Sequence, residues 1–383
     1  MTINIGVIGL GNMGSAHCNW LTDHPEFKLV AVADELAVRL QQFESLPSIR
    51  CFDSGSALIK RGGCDAVLIA TPHLSHVKLA RLALKVGLHV LVEKPIASDI
   101  ADAEKLLAEP KATGQQLALM FNQRTNPAYQ HIRSIITDQR YGRVRRMNWV
   151  ITDWFRAESY YSSGQWRATW RGEGGGALLN QAPHQLDLLC WLFGRPQSVF
   201  ADAGFGRWHD IGVEDEVTAI LTFASGTTGV FVTSTGEAPG VNRLEIVFES
   251  ATLVYDTKLK NIEIAELEIP LGEAIKHNKA FQKPRAGLKE LSFSDQGGQH
   301  QEVLDNFADA IQTGAPLIAP GEAGLDSLML ANALILSGAT KKMVTLPISS
   351  QRYRRFLRAK MREEPTGQRV IETRVTDLSG SFS

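Results

Sequence analysis

The amino-acid sequence predicts an α/β protein with an N-terminal doubly wound parallel sheet and a C-terminal α+β domain with an open, mostly antiparallel sheet. In the first 123 residues, apolar runs without polar alternation are separated by amphipathic segments, as is typical of parallel strands covered on both faces by helices. From about residue 197 to 269 the pattern changes to long alternating strands joined by Gly and Ser turns. We therefore expect domains over residues 1–123 and 124–347, and a C-terminal tail over 348–383.

The expected elements follow from these patterns in chain order. The first domain should contain helices such as the one around Val77–Leu84, which ends before Gly87. Its strands are expected at Ile3–Ile8, Phe27–Ala33, Asp65–Ala70, His89–Val92 and Gln116–Met120. The second domain should contain helix Pro127–Thr137, strand Val144–Trp154, apolar helix Leu178–Phe193, a hairpin over Ala219–Phe231 with Ser225-Gly226 at its tip, and helices Gln301–Thr313 and Glu322–Ser337. We expect the basic tail from Ser350 to be an exposed arm or a subunit contact.

Composition excludes several functional classes. The chain has 40 Lys and Arg against 41 Asp and Glu, so its net charge of −1 argues against a general binder of nucleic acids or membrane surfaces. It has no run of 18 apolar residues and begins without a charged and apolar export segment. Its four cysteines form no C-x-x-C pair, so we expect neither a metal site nor a disulfide framework, and we expect a cytoplasmic location. These features favour an enzyme.

A glycine-rich segment stands where the first strand should end and the first helix begin. It has the spacing G-x-G-x-x-G and consists of Gly9, Leu10, Gly11, Asn12, Met13 and Gly14. Such glycines permit a tight turn, close approach of a pyrophosphate and close packing of the helix, although glycines also mark ordinary turns. Asp34 follows Gly14 by 20 residues, where a carboxylate would bind the ribose hydroxyls of NAD and repel the extra phosphate of NADP. We expect NAD rather than NADP, although Arg39 is nearby.

Three further segments complete a resemblance to a known family. Residues 65–76 read Asp-Ala-Val-Leu-Ile-Ala-Thr-Pro-His-Leu-Ser-His, residues 93–95 read Glu-Lys-Pro, and residues 174–187 read Gly-Gly-Gly-Ala-Leu-Leu-Asn-Gln-Ala-Pro-His-Gln-Leu-Asp. In this order, behind the glycine-rich loop, they resemble the glucose–fructose oxidoreductase / inositol dehydrogenase (Gfo/Idh/MocA) family. Residues 306–314 are also similar, so the resemblance covers about residues 3–347. It implies a Rossmann domain, a second domain with an open sheet, and an active site between them that oxidises a sugar or polyol.

The resemblance assigns roles to individual residues. Lys94 matches the lysine that holds and polarises the reacting oxygen, and His184 matches the catalytic histidine. The alternative, non-catalytic interpretations are that Lys94 is a surface lysine and that His184 is a core or capping histidine. Residues expected around the cofactor are Gly9, Gly11, Asn12, Met13, Gly14, Asp34, Thr71, Pro72, His73, His76, Glu93, Lys94, Asn122 and Arg124.

One position departs from the family pattern. The family usually has an aspartate four residues before the catalytic histidine, where this chain has Asn180. On a continuous helix, positions 180 and 184 would share a face, so we expect the amide to contact the imidazole. An amide cannot stabilise an imidazolium as a carboxylate does. We therefore expect His184 to be a weaker base than in the usual arrangement.

The loop before the triple glycine is rich in aromatic and cationic residues. Aromatic faces stack on sugar rings, and arginine grips a carboxylate, phosphate or sulfonate. We therefore expect a sugar substrate, and the arginines allow an anionic one, although subunit interfaces also use Trp and Arg. The expected substrate contacts are Lys94, Trp154, Arg156, Tyr160, Trp166, Arg167, Asn180 and His184, with Tyr161, Trp170 and Arg171 in the same loop.

Three functions fit this sequence. The leading one is an NAD(P)-dependent dehydrogenase that oxidises a secondary hydroxyl of a sugar, polyol or glycoside. The second is an NAD-dependent, redox-neutral glycosidase that oxidises a sugar carbon transiently, eliminates the aglycone, adds water and is re-reduced. The third is a regulator without catalysis on the same scaffold. Since family members commonly assemble through the open sheet, we expect a homodimer or homotetramer with a small carbohydrate as its other partner.

Overall fold

The N-terminal sheet has six parallel strands in the order β3-β2-β1-β4-β5-β6. The computed structural model describes residues 2–164 and 166–365. The strands are β1 (Ile3–Ile8), β2 (Phe27–Ala33), β3 (Arg50–Phe52), β4 (Ala66–Ile69), β5 (His89–Val92) and β6 (Leu117–Leu119). Chain order reverses direction at β1, so the loops after β1 and β4 lie side by side at the carboxyl ends of the strands. The predicted doubly wound sheet is confirmed.

Five helices connect these strands. They are α1 (Asn12–Thr22), α2 (Ala37–Glu44), α3 (Gly55–Arg61), α4 (His73–Lys85) and α5 (Ile100–Leu107). All four residues of β4 are fully buried, because helices cover both faces of the sheet. The five predicted strands agree with the structure to within one residue at each end. Strand β3 was not predicted, since three residues at a sheet edge are too few to give a pattern.

The second sheet has nine strands in the order β14-β13-β12-β11-β7-β10-β9-β8-β15. These are β7 (Arg146–Ile151), β8 (Ser198–Phe205), β9 (Glu214–Thr222), β10 (Thr228–Ser234), β11 (Asn242–Val247), β12 (Ala251–Asp256), β13 (Asn261–Leu267), β14 (Ala286–Ser292) and β15 (Val344–Thr345). Among the described strands of this sheet, only β7 and β10 pair in parallel, so the predicted mostly antiparallel sheet is confirmed. The predicted hairpin is β9–β10, with Ser225 and Gly226 in its turn.

The remaining helices are α6 (Pro127–Thr137), α7 (Glu158–Tyr161), α8 (Ala177–Asn180), α9 (Pro183–Phe193), α10 (Leu271–His277), α11 (Gln299–Thr313), α12 (Gly321–Thr340) and α13 (Ser350–Glu363), with a 3₁₀-helix over Asn122–Thr125. The prediction of one helix over Leu178–Phe193 is wrong. The chain breaks between α8 and α9, and Pro183 occupies the first turn of α9. A proline there has no N–H to continue the ladder of the preceding helix but suits the start of a new one.

Two late helices return to the N-terminal domain. Helix α11 packs on the first sheet, where Phe307 stacks on Phe27 with ring centroids 6.1 Å apart and joins a buried cluster with Leu10 and Met120. Helix α12 is apolar on nearly all sides and packs against α9, β8 and α5. In the described part of the chain it is the one helix long and apolar enough to cross a membrane, but 72% of that stretch is buried inside the fold, as in a core helix.

The first part of the predicted tail is also packed. Tyr353 and Leu357 of α13 are buried, and Arg354 donates a hydrogen bond to Asp99 at the start of α5, with 2.7 Å between nitrogen and oxygen. The expectation of an exposed arm is therefore wrong for residues 350–363, because these side chains dock the helix on α5. The rest of the predicted tail, from residue 366, lies outside the described residues.

Candidate active site

The loop between β1 and α1 has the shape of a phosphate cradle. A Cβ on Gly14 would lie 1.7 Å from the carbonyl oxygen of Gly9, so α1 can start this close to the strand only because position 14 has no side chain. A Cβ on Gly11, by contrast, would have no atom within 4 Å. Helix α1 begins at Asn12 without a side-chain cap, so its first N–H groups remain available. The loop leaves both space and hydrogen-bond donors for a pyrophosphate.

Two alanine variants separate the roles of these glycines. Gly11→Ala is expected to keep the wild-type Tm but to weaken NADH binding by about tenfold or more, or ~1.4 kcal/mol, because its methyl group fills the space a pyrophosphate would occupy. Gly14→Ala is expected to lower the free energy of unfolding by ~1–3 kcal/mol through overpacking against Gly9. Thermal unfolding and NADH fluorescence titration measure both effects. Unchanged NADH affinity in Gly11→Ala would contradict the assignment of the cradle.

Asp34 lies just after β2 and is tied to this loop. Its Oδ2 accepts a hydrogen bond from the backbone N–H of Leu10 at 2.7 Å, and its Oδ1 accepts one from Leu36 at 2.9 Å. Arg39 donates to Oδ2 at 3.3 Å, and the Arg39 side chain is 44% exposed. The carboxylate is therefore held beside the glycine loop, at the position that ribose recognition requires.

The loop after β4 is fixed by two histidines at the start of α4, which Pro72 precedes. The ring nitrogens of His76 lie 2.7 Å from the carbonyl oxygen of Thr71 and 2.8 Å from that of Pro95. His73 Nδ1 lies 3.4 Å from the carbonyl oxygen of Glu173. The two histidines thus connect the loops after β4 and β5 with the second domain.

A buried hydrogen bond holds the end of β5 against α1. His17 Nε2 lies 2.7 Å from Glu93 Oε1, and both side chains are nearly or fully buried. Burial alone would raise the pKa of Glu93, but the His17 hydrogen bond and the nearby His300 and Lys94 outweigh it and lower that pKa to about 2. Glu93 is therefore an anion beside the Lys94 backbone, and it positions the lysine that follows it.

Lys94 and His184 lie in the cleft between the domains. Lys94 is half-buried and its Nζ donates to the carbonyl oxygen of Asn180 at 2.9 Å. Burial lowers the pKa of Lys94, as do Arg167 and Arg156, whereas Glu93 and Glu173 oppose the shift. His184 is also half-buried, and its Nδ1 has no hydrogen-bond partner among the described residues. Burial and the Lys94 charge lower the pKa of His184 well below its usual range, so the imidazole is neutral at pH 7.

The expected contact between Asn180 and His184 is not formed. Asn180 ends α8, and the break before α9 removes the shared helical face. The amide nitrogen of Asn180 instead donates to Glu173 Oε1, and its Oδ1 accepts hydrogen bonds from Tyr160 at 3.2 Å and from Gln181 at 3.3 Å. The physical reason for a weakly basic His184 is therefore burial beside Lys94 rather than the amide at position 180.

Tyr160 is the centre of the aromatic and cationic side chains of the loop. The Arg167 guanidinium lies 4.6 Å from the Tyr160 ring centroid and 4.7 Å from that of Trp166. The Arg156 guanidinium lies 5.1 Å from the Tyr160 ring and 5.6 Å from Trp154. All five side chains are half-buried, so the predicted substrate residues of this loop form one stacked group.

Other predicted residues support the structure. Trp170 donates to the carbonyl oxygen of Gly212 at 2.8 Å, Arg171 donates to that of Glu364 at 2.9 Å, and Tyr161 donates to Thr235 at 2.9 Å. These contacts hold the loop and the end of α13 in place.

Asn122 and Arg124 differ in the hydrogen-bonding capacity that remains available for a cofactor. Asn122 donates to Gln299 at 2.7 Å, while its buried Oδ1 has no partner among the described residues, which suits a cofactor amide. Arg124 instead makes two hydrogen bonds of 2.8 Å to Asp187 and one of 2.9 Å to the carbonyl oxygen of Ile318. Its guanidinium therefore joins the domains.

Three buried residues of the site were missed by sequence reasoning. His17 and His300 flank Glu93, and Glu173 bonds Asn180. His17 comes three residues after Gly14 and could have been found as a polar residue on the buried face of α1. Glu173 immediately precedes the triple glycine, but nothing in the local sequence indicates its burial. In residues 2–164 and 166–365, no three His, Cys, Asp or Glu side chains form a cluster that could hold a metal ion.

This fold, with these groups at the carboxyl ends of its parallel strands, defines an NAD-binding oxidoreductase. Residues 3–121 match the oxidoreductase family with an NAD-binding Rossmann fold, and residues 129–254 match the GFO/IDH/MocA C-terminal domain. The chain belongs to the GFO/IDH/MocA family, so the resemblance predicted from the motifs is confirmed.

Individual relatives are similar along most of their length. Inositol 2-dehydrogenase of Rhizobium meliloti (strain 1021) is 26% identical, with 90% of this chain and 100% of the relative covered. The 1-carboxy-3-chloro-3,4-dihydroxycyclohexa-1,5-diene dehydrogenase of Comamonas testosteroni is 31% identical, with 88% and 95% covered. Among solved structures, the WlbA dehydrogenase of Bordetella pertussis in complex with NADH and UDP-GlcNAcA is 26% identical, with a TM-score of 0.76 and 91% and 100% covered.

Proposed function

We propose that this protein is an NAD-dependent dehydrogenase that oxidises a secondary hydroxyl of an anionic sugar, polyol or glycoside. The observation that carries the proposal is that the half-buried Lys94 ammonium and the neutral His184 imidazole lie in the same cleft, beside the dinucleotide cradle. A cation that polarises an oxygen and a base that accepts its proton are what alcohol oxidation requires.

The chain's own residues would divide the work as follows. The glycine loop, Asp34 and the open Oδ1 of Asn122 would hold the cofactor, which supplies the hydride-accepting ring when bound. Lys94 would donate a hydrogen bond to the hydroxyl oxygen and stabilise negative charge there. His184 would accept the hydroxyl proton, since its ring is neutral at pH 7. The His17–Glu93 pair would keep Lys94 in position from behind.

The charge of the cleft supports an anionic substrate. Arg156 and Arg167 both act electrostatically on Lys94, and the carboxylates of Glu93 and Glu173 lie opposite these three cations. Two of these cations lie over the Tyr160 ring, which holds their charge in the cleft. The WlbA dehydrogenase, similar over its whole length, has been crystallised with UDP-GlcNAcA, whose uronate is such an anion. An anionic sugar therefore fits this cleft better than a neutral one.

The preference for NAD over NADP rests on Asp34. Its carboxylate is fixed by the backbone of Leu10 and Leu36, so it cannot swing away from an added ribose phosphate. Arg39 pairs with that carboxylate, which offsets the attraction that its guanidinium would exert on the phosphate.

NMR of the purified protein with stoichiometric NAD and a panel of sugars, polyols, uronates, sulfonated sugars and glycosides tests this function. The expected result is that NADH and a keto-sugar accumulate together, most strongly with an anionic member of the panel. Release of free sugar from a glycoside while NAD stays oxidised, and only when NAD is present, would instead identify the redox-neutral glycosidase.

We also propose a cytoplasmic homo-oligomer. The four cysteines are free, as a reducing compartment requires. Helices α8 and α12 pack on the second sheet, while Phe200, Trp208 and Ile220 are exposed elsewhere on the domain, with 43%, 53% and 56% of their surface accessible. Such apolar exposure favours subunit contact. Light scattering after gel filtration should give a dimer or tetramer, and a monomer would overturn this proposal.

A further inference from the structure

A carboxyl group lies in the cleft although position 180 has none. Glu173 is 2% exposed, in the segment between the aromatic loop and α8. Its Oε1 accepts a hydrogen bond from the Asn180 amide, and its Oε2 accepts one from the backbone N–H of Ala168 at 2.6 Å. Both oxygens are therefore directed by the fold, and one of them faces the residue that replaces the family's usual aspartate.

We propose that Glu173 takes the place of the family's aspartate in this active site and acts through the Asn180 amide as a positioning residue. This inference rests on the proposed function and adds a residue to its machinery. Because Glu173 accepts from the amide nitrogen, the amide oxygen must point the other way, toward Tyr160. Tyr160 donates to that oxygen and accepts from Arg167 at 2.9 Å. One carboxylate thus fixes the direction of each hydrogen bond from α8 to the substrate loop.

Glu173 also sets the charge beside Lys94. Ionised Glu173 favours the protonated form of Lys94, against burial and the two arginines. Burial raises the pKa of Glu173 to about 7, although the Ala168 N–H, Arg167, Asn180 and Lys94 all favour its ionised form. The titratable or charged groups that face Glu173 from the surrounding elements are Lys94 after β5, His73 of α4, Tyr160 of α7, Arg167 of the loop and Glu214 of β9. The charge of the cleft therefore changes near neutral pH.

A swap of the two side chains tests the proposal. Glu173→Gln should lower kcat about 10–100-fold, as for loss of a supporting partner, and remove the acid limb near pH 7 from the pH–rate profile. Asn180→Asp should move that limb to higher pH, because two adjacent carboxylates raise the pKa of one. The double variant restores one carboxylate and one amide in reversed order and should recover most of the lost kcat. The proposal would be overturned if kcat of the double variant were no higher than that of Glu173→Gln. It would also be overturned if the pH–rate profile of Glu173→Gln matched that of wild type.

A ligand-free measurement separates this proposal from the proposed function. The folded-state pKa of Glu173 lies above its unfolded value, so its contribution to stability is complete at low pH and lost as pH rises through about 7. The Tm of Glu173→Gln minus that of wild type should therefore increase from pH 5 to pH 8. For the exposed control Glu44→Gln, the same difference should stay constant over this range. If no substrate is turned over, the proposed function fails. The proposal for Glu173 is tested separately: it fails if the Tm difference between Glu173→Gln and wild type stays constant with pH.

Discussion

Lys94→Met is expected to lower kcat by about 10³-fold, because it removes the ammonium group that would stabilise negative charge on the reacting oxygen. The methionine is apolar, unbranched and similar in length, so the Tm should change little. Lys60→Met on α3 is the matched control, since Lys60 is exposed and lies on a helix that contributes none of the site residues described above. Steady-state kinetics of both variants, with NADH titration and thermal unfolding, measure these effects.

The same variant distinguishes an enzyme from a regulator that only binds a nucleotide. A regulator should keep its NADH-dependent behaviour when Lys94 is replaced, because the glycine loop that would hold the phosphates is untouched. Retention of kcat within about threefold, a difference of ~0.65 kcal/mol in activation free energy, would contradict the role given to Lys94.

Arg124→Ala is expected to lower the free energy of unfolding by about 3–5 kcal/mol, the largest stability effect among the substitutions considered. Arg124 and Asp187 have 8% and 1% of their side chains exposed and form a bidentate ion pair. Loss of the guanidinium leaves a buried carboxylate without its counter-ion. Urea unfolding followed by tryptophan fluorescence measures the effect.

Two controls test that explanation. Arg195→Ala removes a partner of Asp326 in a pair whose side chains are 37% and 49% exposed, and should cost no more than ~1 kcal/mol. The double variant Arg124→Met with Asp187→Leu should be more stable than Arg124→Ala, since no buried charge is left unpaired. Equal destabilisation by Arg124→Ala and Arg195→Ala would rule out burial as the cause.

Much of the fold could be predicted because it depends on local patterns. Strands β1, β2 and β5 have the predicted limits since each is a mostly apolar run, with Asn4, Lys28 and His89 as its polar residues. Pro183 is a sequence signal for the break before α9, but the apolar residues on both sides of it suggested one continuous helix. Helix α13 was missed because only a few apolar residues, such as Tyr353 and Leu357, interrupt a strongly charged segment.

Less of the site than of the fold could be predicted from the sequence. The cradle could be predicted from the spacing of its glycines, and Lys94 from the resemblance of its Glu-Lys-Pro segment to the family. The partner of Asn180 could not, since Glu173 reaches it through the folding of the loop, and α8 ends before His184 can share its face. Long-range contacts of single polar side chains leave no periodic signal in a sequence.

The return of α11 to the first sheet has a consequence for synthesis of the chain. The apolar cluster of the nucleotide-binding domain contains Leu304 and Phe307 together with Leu10 and Met120. When residues 1–123 of a nascent chain have left the ribosome, all six strands are present, but the α11 residues that complete the core are not. The domain therefore completes its packing only after translation of the second domain, and the exposed strands before that point are where chaperones would be needed.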